Sequence, residues 1–100
     1  MNAHYGMGYS LYYMGRISES VNVLNEVLDK YIKTKGEHDR QTKRVYNMLG
    51  IVWERISEVL YDSSTKERRM YFYEMSAFYY AHADKNDDAQ MMIDKYNSLL

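Results

Sequence analysis

The 100-residue sequence predicts an all-α fold, a stack of antiparallel helix hairpins made from five helices. Three observations carry this. The chain has no proline and five glycines, so little along it interrupts a helix. Apolar residues recur at steps of three, four and seven through most of its length. Finally, His4-x2-Met7-Gly8-x2-Leu11 and Tyr46-x2-Leu49-Gly50-x2-Trp53 repeat one pattern of ring, aliphatic residue, glycine and bulky residue. On a helix those offsets share a face, and glycine falls where a neighbouring helix must approach closely.

Each element has its own signals. The first helix spans about Ala3 to Met14, and Gly15 closes it as a left-handed terminator. Ser18 suits the N-cap of the second, whose stripe is Val21, Leu24, Val27, Leu28, Tyr31 and Ile32. Gly36 ends that helix, and Gly36 to Gln41 form a polar loop. The third carries Val45, Met48, Leu49, Val52, Trp53, Ile56 and Leu60 on one stripe and reaches about Tyr61. Ser64 with Glu67 reads as a capping box that starts the fourth, which runs to about Ala83. Its Met70, Phe72, Tyr73, Met75, Phe78, Tyr79 and Tyr80 make it apolar on more than one side, as in a helix buried between neighbours or covered by a partner. After a turn at Asp84 to Asp87, the residues Ala89, Met92, Ile93, Tyr96 and Leu99 define the fifth.

Composition narrows the function classes. One hundred residues make a single domain, and 46% hydrophobic with 15% aromatic content excludes a disordered chain. A net charge of −1 recommends neither nucleic acid nor an anionic membrane as partner. No cysteine is present, which removes disulfides, thiolate chemistry and cysteine-based metal sites and fits a reducing compartment. No apolar run approaches the ~18 residues of a membrane span, and the N-terminus lacks the basic and apolar segments of a signal peptide, so a soluble, cytoplasmic protein is expected. His4, His38 and His82 are far apart and none pairs with a carboxylate at ligand spacing, so no metal is expected. No Ser-His-Asp arrangement, glycine-rich phosphate loop or paired-carboxylate motif occurs, so neither catalysis nor a cofactor is expected.

Residues 3 to 31 resemble one tetratricopeptide repeat. Ala3, Tyr5, Met7, Gly8, Gly15, Ile17, Glu19 and Leu28 sit where that family favours such residues, while His4 stands for its tryptophan, Ser20 for its small alanine and Leu24 for its large aromatic. A second copy from about Arg44 keeps Tyr46, Leu49, Gly50 and Trp53. Gly8 and Gly50 lie 42 residues apart against a family period of about 34, and the closing proline is missing. A third echo, Phe72-x2-Met75-Ser76-x2-Tyr79, comes too soon after Gly50 for an intervening helix pair. Either the fourth helix is the second helix of repeat two and the fifth is a cap, or the array is irregular; the first is preferred, because helix direction must alternate along such a stack. The resemblance implies a right-handed stack with repeat one at about 2–35, repeat two at about 42–83 and a capping helix at about 87–99. The packing residues Met7, Gly8, Leu11, Leu49, Gly50 and Trp53 are expected in the core.

The resemblance also implies a function: arrays of this family hold other chains and perform no chemistry of their own. Tyr5, Tyr9, Tyr12 and Tyr13 share a stripe of the first helix that lines the concave groove in such arrays. The equivalent stripe of the third helix is Arg44, Asn47, Ile51, Glu54 and Arg55. Tyrosine offers a rigid surface with a polar tip, and asparagine and arginine can hold a peptide backbone or a carboxylate. The lysine–asparagine clamp for chaperone tails is not matched, since tyrosines stand in its first-repeat positions. Covering of the core is the competing role for the tyrosines. The basic cluster Lys33, Lys35, Arg40, Lys43 and Arg44 is interrupted by Glu37 and Asp39, and with Lys66, Arg68 and Arg69 it reads as solvated surface. The expected partner is a protein or peptide. The alternatives are a homo-oligomer formed through the fourth and fifth helices, and a peptide-sensing part of a bacterial regulator.

Overall fold

A computed structural model describes residues 2–100, with side chains described from Gly6 onward. The positions of His4 and Tyr5 in the repeat pattern and the tyrosine stripe therefore lie outside the described side chains. Five helices follow one another: α1 (Asn2–Tyr13), α2 (Ile17–Lys35), α3 (Arg40–Val59), α4 (Lys66–His82) and α5 (Asn86–Asn97). No strand occurs among the described residues, so the fold is all-α as the sequence predicts.

Chain neighbours pack on each other in the order α1, α2, α3, α4, α5, and α1 also touches α3. Short connections force packed neighbours to run antiparallel. The α3/α4 pairing shows this directly. Lys43 bridges to Asp84, the ring of Tyr46 lies against those of Tyr79 and His82, Ser76 bonds Gly50, and the Trp53 ring meets Tyr71 and Phe72. As numbers rise along α3 they fall along α4. The assembly measures 39 × 27 × 17 Å, a slab one or two helices thick.

The core lies between α2, α3 and α4. Leu24, Val27, Leu28 and Tyr31 of α2 meet Val45, Tyr46, Met48, Leu49 and Val52 of α3, closed by Tyr79 of α4 and by Ala83 just after it. A smaller cluster of Tyr73, Tyr80, Ala89 and Met92 fastens α5 to α4.

The two glycines of the repeated pattern each lie hard against a large side chain of the next helix in chain order, Leu24 of α2 for Gly8 and Tyr80 of α4 for Gly50. A Cβ on Gly8 would stand 2.8 Å from the Leu24 side chain, and one on Gly50 would stand 2.7 Å from the Tyr80 ring. In each hairpin a buried serine completes the contact. Ser20 donates its hydroxyl to the carbonyl oxygen of Gly8 at 2.7 Å, and Ser76 donates to that of Gly50 at 2.8 Å. Glycine, serine and a large side chain four residues beyond the serine thus recur in both hairpins. Ser76, part of the third echo in the sequence, occupies the place of Ser20 in the second hairpin. This makes α4 the packing partner of α3.

Several sequence expectations need correction. Met7 is 48% exposed although its counterpart Leu49 is fully buried. The reason is topological: Leu49 lies in the cluster shared with α2, whereas among the described residues no helix covers that side of α1. Leu11 and Trp53 are half-buried rather than core, and Ile32 and Leu60 are exposed ends of their stripes. Helix α2 starts at Ile17, ahead of Ser18, and its N-cap position Arg16 makes no side-chain cap. Instead, the Arg16 guanidinium donates to Glu19 at 2.7 Å, an i,i+3 pair that ties the first turn together. The α4 cap is Thr65, whose hydroxyl accepts from the Arg68 backbone N–H at 3.2 Å, so the Ser64–Glu67 box does not form. Helix α3 stops at Val59, two residues short, and the turn beyond it is held by Arg69, which donates to the Tyr61 carbonyl at 2.6 Å and lies over the Tyr61 ring. Gly15 and Gly36 close α1 and α2 at φ of 81° and 91°, where side chains are strained.

Candidate functional site

The two hairpins differ in length, and this difference builds a groove. From Gly8, α1 continues only to Tyr13 before Gly15 turns the chain, whereas from Gly50, α3 runs on to Val59. The α3 overhang of four residues amounts to about 6 Å of helix. A groove of about 740 Å³ opens between the end of α1 and this overhang, lined by Tyr12, Tyr13, Gly15, Ile17, Ile51, Glu54, Arg55, Glu58, Val59 and Tyr80.

Five of the sequence-predicted site residues meet there: Tyr12 and Tyr13 from α1, and Ile51, Glu54 and Arg55 from α3. Tyr9, Arg44 and Asn47 are not part of the lining. Arg44 and Asn47 continue the same α3 stripe toward its N-terminus, beyond the groove. Tyr9 stacks on Tyr13 with ring centroids 4.7 Å apart and extends the aromatic surface outward along α1. The tyrosine stripe is therefore divided. Tyr13 is 67% exposed, whereas Tyr12 is half-buried, lining the groove while it packs against the core.

The polar groups of the groove are coupled. Tyr80 of α4 donates its phenol to Glu54 Oε1 at 2.7 Å. Burial, reinforced by that bond, pushes the Tyr80 phenol far above the ordinary tyrosine range. The Tyr12 phenol is also raised by burial, with the neighbouring Arg55 guanidinium opposing the shift. Arg55 itself pairs with Glu58 across one helical turn at 3.5 Å. Tyr12 and Tyr13 meet edge to face, centroids 5.1 Å apart, which leaves one ring open to the groove.

Tyr80, Glu58, Val59 and Ile17 are lining residues that the sequence reading did not single out. Glu58 was accessible to the same reasoning, since it follows Glu54 at i+4 and Ile51 at i+7. Tyr80 carried no such signal, because it reaches the groove from a helix whose apolar faces read as buried between neighbours or covered by a partner.

Elsewhere, α4 exposes Tyr71 and Phe78, seven residues apart on one stripe, each about half-exposed. A notch of about 390 Å³ separates α4 from α5. Among the described residues no group of three or more His, Asp or Glu is placed to hold a metal ion, and no helix is long and apolar enough to cross a membrane.

The class defined by these features is an all-α helical stack with a mixed aromatic and charged groove. Comparisons with family models, with curated proteins and with solved structures find no match for the chain.

Proposed function

We propose that this chain is a tetratricopeptide-like stack that acts as a non-catalytic, cytoplasmic adaptor, binding a protein or peptide in the groove between α1 and α3. One observation carries the reading. Residues about 40 positions apart in sequence, Tyr12 and Tyr13 on one side and Ile51, Glu54 and Arg55 on the other, converge on a single open groove. The glycine–serine contact recurring in both hairpins supports a repeat architecture, and such architectures present extended surfaces for other chains. The volume suits a few side chains of a bound segment.

The test is a display library of random peptides selected against the protein, with the binders re-measured on Tyr13→Ala. Tyr13 is the right probe because its exposure separates binding from folding. Binders lost by at least tenfold on Tyr13→Ala, at an unchanged melting temperature, support the reading. Binders indifferent to Tyr13→Ala and Arg55→Ala place recognition elsewhere and overturn it.

A second reading is self-association through α4, favoured by the half-exposed Tyr71 and Phe78. Light scattering across a hundredfold concentration range decides it. A dimer that Phe78→Ser dissociates supports this reading, and a monomer throughout excludes it.

A further inference from the structure

Building on the peptide-binding reading, we infer that the groove selects a basic segment, one that presents an arginine or lysine between apolar neighbours. The charges facing the groove are Glu54, Arg55 and Glu58, an excess of one carboxylate. The single cation among them is already engaged by Glu58, on its own helix. That pair leaves Glu54 as the carboxylate in excess, so the charge balance of the groove favours an incoming cation over an acid. Glu54 uses one oxygen to accept from Tyr80 and keeps acceptor capacity on the carboxylate.

The aromatic surface has the same preference. Tyr12 and Tyr13 line the mouth beside these carboxylates, and tyrosine rings attract ammonium and guanidinium groups to their faces. A lysine or arginine can lay its methylene stem on the tyrosines while its charged end reaches Glu54 or Glu58. Ile17, Ile51 and Val59 supply apolar contact for the flanking residues of the ligand.

The experiment uses two fluorescein-labelled decapeptides, one alternating lysine and arginine with leucine and the other its glutamate counterpart. Fluorescence anisotropy follows both on the native protein and on Glu58→Gln, Glu54→Gln and Arg55→Gln. Glu58→Gln is the primary variant because its side chain is half-exposed and needed by no core contact, and each variant's melting is checked by circular dichroism. The expected result is binding of the basic peptide alone, weakened about tenfold by Glu58→Gln and further by added salt. Tyr13→Ala should also weaken it. Preference for the acidic peptide, lost on Arg55→Gln, overturns the charge assignment but leaves the groove as a binding site. Basic binding indifferent to both glutamates and to Tyr13 overturns the assignment as non-specific attraction. Binding of neither peptide overturns the basic ligand class. The fate of the groove reading is then decided separately by the random-library selection.

Discussion

The hydroxyl of Ser76 donates to the Gly50 carbonyl oxygen at 2.8 Å, across the closest approach of α3 and α4. This contact fixes the register of the second hairpin, in which Tyr80 bonds Glu54 at the groove. Gly50→Ala puts a Cβ 2.7 Å from the Tyr80 ring, a rigid group held at its far end by Glu54. Overpacking costs about 1–3 kcal/mol, while replacing glycine within a helix returns up to about 1 kcal/mol. Gly50→Ala is therefore expected to destabilise by about 1–2 kcal/mol, and Gly50→Leu to prevent stable packing. Gly8→Ala should cost less, because it meets a Leu24 side chain that can change rotamer. Urea denaturation of the three variants measures the order. A Gly50→Leu protein that melts like the parent would contradict the observed helix contact.

Leu49 and Met7 hold the same place in the repeated pattern yet differ completely in burial. Leu49→Ala should cost about 2–5 kcal/mol, as a core truncation does. Met7→Ala should change stability by no more than about 0.5 kcal/mol. Thermal denaturation separates these outcomes without ambiguity. A large loss from Met7→Ala would mean that the exposed side of α1 is covered in solution by another chain.

Those two residues also show what the sequence could and could not convey. Helical class, element order and the glycine contacts were legible because period and glycine placement are local properties of the chain. Met7 was misplaced because a pattern position states which face a residue occupies, but not whether a neighbour lies on it. The Ser18 and Ser64 caps failed for a related reason. Ile17 and Lys66 set the helix starts, and serines one or two residues from those starts carry the same local signal as real caps. The α3 stripe includes Ile51, Glu54 and Arg55, which line the groove, but its length sets which end of the stripe reaches it. Arg44 and Asn47 lie on the right face and outside the lining. Tyr80 was invisible because its role arises from tertiary packing of α4 against α3.

The Tyr80–Glu54 bond has a consequence at alkaline pH. Burial and hydrogen bonding raise the folded-state pKa of Tyr80, and burial raises those of Tyr12, Tyr46, Tyr73 and Tyr79. For an acid with a raised folded pKa, the fold favours the neutral form. The resulting stability is complete below the unfolded value of about 10 and is lost as pH climbs above it. Tyrosinate absorbance of these five phenols should rise in a cooperative step coincident with loss of helical circular dichroism. Tyr80→Phe removes the bond and should cost about 1 kcal/mol at neutral pH, since the half-buried Glu54 recovers part of its hydration. A single non-cooperative titration of all tyrosines would contradict their burial.

At the acid end the corresponding contact is Lys43 with Asp84, which links the start of α3 to the turn after α4. Asp84 adopts a φ of 60°, in the left-handed region that Asp and Asn tolerate better than other side chains. The Lys43 hydrogen bond, followed by its charge, holds the Asp84 carboxyl below its ordinary value of about 3.8. A depressed folded pKa contributes stability above the unfolded value, and that stability is lost as pH falls through about 3.8 and below. Both groups face solvent, so the contribution is small and weakened by salt. Three substitutions separate charge from backbone. Asp84→Asn keeps the turn and loses only the pH-dependent part, Asp84→Ala adds left-handed strain at every pH, and Asp84→Gly loses the charge while relieving the strain. Melting temperatures at pH 7 should place Asp84→Ala lowest, and the gap between the parent and Asp84→Asn should narrow as pH falls below about 3.8. If Asp84→Ala melted with or above Asp84→Gly, the left-handed turn would not be the conformation held in solution.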